Sequence, residues 1–240
     1  MKLAALLIAL SACSQHLYSP PTQAFALAPV NTLAPTDKAL DVDLSTHSQI
    51  FDPGYDQGTG RLRYGITPTA ELSIEGAAAT VEGSIGPANH EVYSTRAGVR
   101  WQPSKGPLSL NAGFGGGFAP AAGTFAAVDA GAQIGYDNCY FVPLAAVSTF
   151  ISQPLQAKAV DVGDDGVSVD GMPPSEVYST PHRTGGGTIR FGARIPMLHA
   201  DCHAGKQVPT FTAGFDVTSV VDSTEHAEMM GVGIGITLPL

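Results

Sequence analysis

The sequence predicts an all-β chain: an antiparallel up-and-down transmembrane β-barrel of about ten strands, with eight as the alternative count, behind a flexible N-terminal tether. Three observations carry that expectation. From residue 41 onward, short segments alternate apolar with small or polar residues, the two-residue period of strands, and no segment of comparable length has a helical period. Only 14% of the 240 residues are charged while 44% are hydrophobic, too few charges to clothe an ordinary soluble domain. Every charge inside a strand also sits on the polar parity, whose other members are mostly Gly, Ser and Thr, as a narrow interior requires. The 28 Gly and 18 Pro exclude a coiled coil, and the net charge of −9 argues against nucleic acid as a partner.

The chain divides at 1–12, 13–40 and 41–240. Met1-Lys2 is a short positive start, Leu3 through Leu10 is an apolar run far too short to span a bilayer as a helix, and Leu10-Ser11-Ala12-Cys13 follows. These four residues resemble the lipobox of the bacterial lipoprotein signal. The resemblance implies cleavage before Cys13 and acylation of its sulfur, a palmitate-type anchor. Ser14 after the cysteine implies sorting to the outer membrane. A plain secretory signal with an incidental Cys is the alternative, and either reading exports the chain to an oxidising compartment. Residues 13–40, with Pro20-Pro21, Pro29 and Pro35 and no apolar period, read as an extended tether.

Residues 41–51 open the barrel. Leu62, Tyr64 and Ile66 alternate with Arg61, Arg63 and Gly65; beyond Pro68, Leu72 and Ile74 alternate with Glu71, Ser73 and Glu75. Tyr93, Ala97, Val99 and Trp101 oppose Arg96 and Arg100, and Pro103-Ser104-Lys105-Gly106 closes that hairpin. Leu108, Leu110 and Phe114 oppose Ser109, Asn111 and Gly113, and Val128 and Ile134 oppose Asp129 and Gln133. Residues 140–150 form the seventh strand, in which Pro143 calls for a bulge. Ile189 and Phe191 against Arg190 and Arg194, Phe215 against Asp216, and Val232 and Ile234 against glycines complete the ten. Tyr64, Tyr93, Trp101, Phe118, Tyr136 and Phe211 fall near strand ends on the apolar parity, as an aromatic girdle would.

Junction lengths add a second criterion. The even-numbered ones, at 67–70, 103–107, 137–138 and 198–207, are turns; the odd-numbered ones include 82–92 and the long outer loop 152–184, with a short 119–124 against the trend. Such asymmetry suits a barrel whose N-terminus starts on the periplasmic side. In these respects residues 41–240 resemble the small outer-membrane β-barrel proteins of Gram-negative bacteria, the OmpA-type and related eight- to ten-stranded families. The chain departs from them by ending Leu238-Pro239-Leu240 instead of in an aromatic residue. The resemblance implies outer-membrane lipid, the barrel assembly machinery and the lipoprotein export machinery as partners.

Candidate sites follow from this layout. Interior ion pairs are expected among Arg61, Arg63, Glu71, Glu75, Arg96, Arg100, Asp129, Arg190, Arg194 and Asp216, joined by Asp41 and Asp43, with basic and acidic groups in balance. Cys139 and Cys202 fall in neighbouring periplasmic turns and should form a disulfide; a metal site on His199, Cys202 and His203 is the rival. Asp161 through Gly166, with Asp165, opens like a calcium loop but lacks the closing Glu, so a solvated acidic loop is the better reading. The outer loops collect most of the acids, among them Asp56, Glu91, Asp222 and Glu228, against Lys158 and Arg183, a face for divalent cations. No cofactor is expected. The expected role is a lipid-anchored outer-membrane barrel with a structural, surface or narrow-channel function and no enzymatic one. The second reading is a periplasmic lipoprotein whose soluble barrel or sandwich binds a ligand. The third is a rim hydrolase of the omptin or lipid-modifying type, built from His90, His182 or His226 with Glu91, Asp222 or Glu225. The orientation of Val99, Trp101 and Phe215 separates the first two: toward lipid or toward a core.

Overall fold

The computed structural model of the chain describes residues 30–49, 54–81, 90–104, 106–136, 138–164, 176–203, 206–222 and 226–240. Seven strands run in sequence: β1 (Lys38–Gln49), β2 (Gly54–Thr67), β3 (Ala70–Val81), β4 (His90–Trp101), β5 (Leu108–Ala119), β6 (Gly123–Gly135) and β7 (Val142–Ala157). Two short strands, β8 (Val160–Asp164) and β9 (Glu176–Ser179), pair only with each other. Then come β10 (Thr184–Pro196), a five-residue helix α1 (His199–His203), β11 (Thr210–Val221) and β12 (His226–Pro239). The ten long strands close into an antiparallel barrel in which β12 pairs with β1 and β10 with β7.

The alternation read in the sequence becomes an inside-out partition. Val99, Trp101 and Phe215 are 44%, 49% and 51% exposed, whereas Arg61, Glu75 and Asp216 on the other parity are 3%, 1% and 1% exposed. A water-soluble barrel would bury the first set and expose the second. Leu62, Ile74, Phe114, Val128, Ile189 and Ile234 likewise face outward around the wall, which a hydrocarbon surrounding tolerates and water does not. This is a transmembrane β-barrel, crossing by strands of 12 residues or more. Tyr64, Trp101 and Tyr136 stand exposed at the turn end, and Tyr93 stacks on Phe118 toward the loop end with ring centroids 5.2 Å apart. Phe211 is half-buried.

Four expectations need correction. Residues 30–37 are packed, so the tether does not run to 40: Val30 and Leu33 are buried, and β1 starts at Lys38. Strand β7 runs on to Ala157 and the paired strands β8 and β9 lie within 152–184, so that stretch is not one loop. Strand β2 begins at Gly54, because Gly58, Thr59 and Gly60 extend the ladder without the large apolar residues that mark a strand in sequence. Pro143 needs no bulge: it is the second residue of β7, and the β6 ladder stops at Leu144, so on that side its missing N–H is not asked for. The bulge in β7 instead lies near Pro154, where the register against Thr124 and Phe125 shifts.

Candidate functional site

The lumen is the place where chemistry-bearing side chains converge, and strand register decides who meets whom. Asp41 on β1 lies opposite Arg61 on β2, Arg61 opposite Glu75 on β3, and Glu75 opposite Arg96 on β4, so charge sign alternates across four neighbouring strands. Arg61 Nε donates to Glu75 Oε2 at 2.7 Å and its Nη1 to Asp41 Oδ2 at 3.3 Å, with Asp43 3.8 Å from Nη2. One turn-ward layer down, Arg63 lies 2.8 Å from Asp41 and 3.3 Å from Glu71, which also takes Arg100 at 3.2 Å. Arg194 donates to Thr237 Oγ1 at 3.1 Å, and that hydroxyl donates to Asp41 at 2.7 Å. A buried ion-pair cluster of this kind gains little net stability over an apolar filling, but removing one member leaves its partner uncompensated at about 3–5 kcal/mol. Its effect is to fill and fix the lumen.

Two further pairs join strands that are not neighbours, and glycine makes each one feasible. Arg96 on β4 reaches Asp129 on β6 in a bidentate pair at 2.6 and 2.7 Å, crossing β5 over Gly113. A Cβ at Gly113 would lie 2.3 Å from Arg96 Nη2 and 2.4 Å from its Cζ. On the far wall, His47 on β1 crosses β12 over Gly231 to reach Asp216 on β11 at 3.2 Å, and a Cβ there would meet the imidazole at 2.2 Å. His47 stacks on Tyr55 at 4.3 Å, and Asp216 also faces Arg190 at 3.8 Å. Neither His47 nor this glycine role stands out in the sequence, although His47 shares the parity of Asp41 and Asp43.

Other contacts cover the turn end of the lumen, and apolar side chains fill it toward the loop end. At the turn end, residues 30–37 form a strap across the mouth. Val30 packs with Val142 and Leu144, Gln102 Nε2 donates to Asn31 Oδ1 at 2.9 Å, and the Leu33 N–H donates to Glu71 Oε2 at 2.9 Å. Toward the loop end Phe125, Ala127, Phe150 and Val220 are buried. Sequence parity hid this, because β7 is apolar on both faces.

The other candidate residues sort as follows. Cys139 and Cys202 form a disulfide with Cα atoms 5.6 Å apart, bracing the turn before β7 to helix α1. That removes Cys202 as a metal ligand; His199 Nδ1 lies against the Cys139 carbonyl and Tyr140 packs against both His199 and His203. No cluster of metal-ligand type occurs among the described residues. His182 and His226 are exposed at the loop end, Tyr93 donates to Glu91 at 2.6 Å, and for His90 and Asp161 only the strand is described. Cys13, Asp165, Glu225 and part of the acidic outer face lie outside the described residues.

No family model matches the sequence, and no curated protein matches it. Among solved structures it is similar to the β domain of the Bordetella autotransporter BrkA, at TM-score 0.46 and 9% identity over 84% of this chain and 98% of that one. It is also similar to the N-terminal β-barrel domain of Pseudomonas aeruginosa OprF, at TM-score 0.29 and 10% identity over 83% and 97%. A bacterial polysaccharide outer membrane secretin gives TM-score 0.34 and 9% identity over 89% and 100%. The membrane assignment comes from the side-chain partition, not from these likenesses.

Proposed function

We propose that the chain is a lipid-anchored outer-membrane β-barrel with a structural or surface role, whose lumen is shut by its own ion pairs. The single observation that carries this reading is the buried, charge-matched lumen inside a wall of exposed Leu, Ile, Val and Phe. Six arginines and six carboxylates share the lumen, and the ion pairs described above span 2.6 to 3.8 Å, so no single sign runs from end to end as a conducting path would need. The exposure of Trp101 and Phe215 disfavours the soluble-barrel alternative. Cys13 acylation would hold the N-terminus in the membrane leaflet nearest the strap, and acidic outer-loop residues would collect divalent cations.

Purified full-length protein reconstituted in planar bilayers tests the plug. Conductance at the baseline of protein-free bilayers is expected, with slower migration on a gel after boiling reporting a folded barrel. A stable open channel in the wild type would overturn the plug. Incorporation of labelled palmitate that is lost in Cys13→Ala tests the anchor.

A further inference from the structure

Several buried guanidinium nitrogens of the lumen make no hydrogen bond, and Glu75 Oε1, Asp216 Oδ1 and Asn111 Oδ1 make none either. A cavity of about 30 Å³ is lined by four guanidinium groups, Arg61, Arg96, Arg100 and Arg190, against one carboxylate, Glu71. Both Glu71 oxygens are already engaged, by Arg63, Arg100 and the Leu33 N–H. The remaining polar lining is of hydroxyl and amide type, including Asn111 and Ser148. Each guanidinium carries five donor positions and no acceptor, so the cavity wall is dominated by positive N–H groups.

Two of those groups each have one nitrogen without a hydrogen bond. Arg190 is 4% exposed; its Nε makes no hydrogen bond, with Asp216 3.8 Å away, and its Nη1 has a 3.3 Å bond to Ser148. Arg61 is 3% exposed, and its Nη2 makes no hydrogen bond, with Asp43 3.8 Å away. Buried donors of this kind call for an acceptor inside the cavity. Size selects which acceptor: the volume suits about two waters or one monatomic ion, and a tetrahedral oxyanion is too large.

We propose that the lumen binds one halide-sized anion, chloride in practice, between Arg61, Arg96, Arg100 and Arg190. The anion completes the shell of Arg190, whose carboxylate contact is the 3.8 Å one to Asp216, and ties three strands, β2, β4 and β10, through one centre. The inference rests on the closed lumen proposed above, but its readouts do not involve conductance, so failure of the halide site and failure of the plug are distinguishable.

The test folds the full chain in sodium chloride, bromide or gluconate at one ionic strength and pH. A thermal midpoint about 3–6 °C higher in either halide than in gluconate is expected for an anion near ten times its dissociation constant. Asn111→Asp places a fixed carboxylate in the same cavity and should abolish the difference while leaving the barrel folded. A crystal grown in bromide should show one anomalous peak among the four arginines. Equal midpoints in all three salts with no peak would mean that water fills the cavity. A full halide effect surviving in Asn111→Asp would place the anion elsewhere. Either result overturns the proposal.

Discussion

Gly113→Ala is the sharpest perturbation of the lumen, because one methyl group is set against one ion pair. The new Cβ would lie 2.3–2.4 Å from the Arg96 guanidinium, where packed heavy atoms keep roughly 3.5–4 Å. Arg96 is the end of a flexible side chain and will move, but moving by more than an ångström forfeits both bonds to Asp129, at 2.6 and 2.7 Å. Two buried charges are then poorly paired, at a cost of about 3 kcal/mol, while the lower chain entropy of alanine returns about 0.4–1 kcal/mol. The net expectation is a loss of about 2–3 kcal/mol. Gly76→Ala is the control, since a Cβ there meets nothing within 4 Å and faces lipid; it should be neutral or slightly stabilising. Urea unfolding in lipid vesicles, followed by the fluorescence of Trp101, measures both. In an Arg96→Met background the cost of Gly113→Ala should shrink to about 0.5 kcal/mol or less, because the clash with the ion pair no longer exists. An undiminished cost in that background, or a loss equal to that of Gly76→Ala, would refute the saddle role of Gly113.

Other expectations concern separate parts of the molecule. Replacing Cys139 and Cys202 by Ser opens a link spanning 63 residues and should lower unfolding stability by about 3–4.5 kcal/mol with strand content unchanged by circular dichroism. Leu33→Pro removes the N–H that holds Glu71 at 2.9 Å and should cost about 1.5–3 kcal/mol in the same urea assay, whereas Leu33→Met should cost little. Phe215→Arg, on the outer face midway along β11, should cost about 2–4 kcal/mol in vesicles; a loss below 0.5 kcal/mol, on the order of an ordinary surface change, would contradict a lipid-facing position.

How much of this was legible in the chain depends on how local the cause is. Arg61, Glu71, Asp129 and Asp216 could be placed inside from parity alone, because side chains alternate strictly along a strand. Cys139 and Cys202 could be paired because consecutive turns at one end of a barrel are neighbours. What parity does not encode is reach. Arg96 meets Asp129 two strands away only because Gly113 is bare, and His47 meets Asp216 over Gly231 for the same reason. These glycines look like ordinary polar-parity filler until the register is known. Residues 30–37 were hidden differently: Pro29 and Pro35 read as tether, yet Val30 and the Leu33 N–H find partners that only the closed mouth creates. Strand β7 was ambiguous because Val142, Leu144 and Phe150 face inward while Val147 and Ile151 face out, so both faces are apolar and no alternation appears.

Phe114 offers the most direct measurement of the inverted partition. It is 68% exposed at the middle of β5, and Trp101 is the single tryptophan of the chain. In the Trp101→Phe, Phe114→Trp protein reconstituted in vesicles, lipids brominated deep in the acyl chain should quench the indole strongly, and aqueous acrylamide should barely reach it. Strong acrylamide quenching with no effect of the brominated lipid would contradict a barrel that faces lipid.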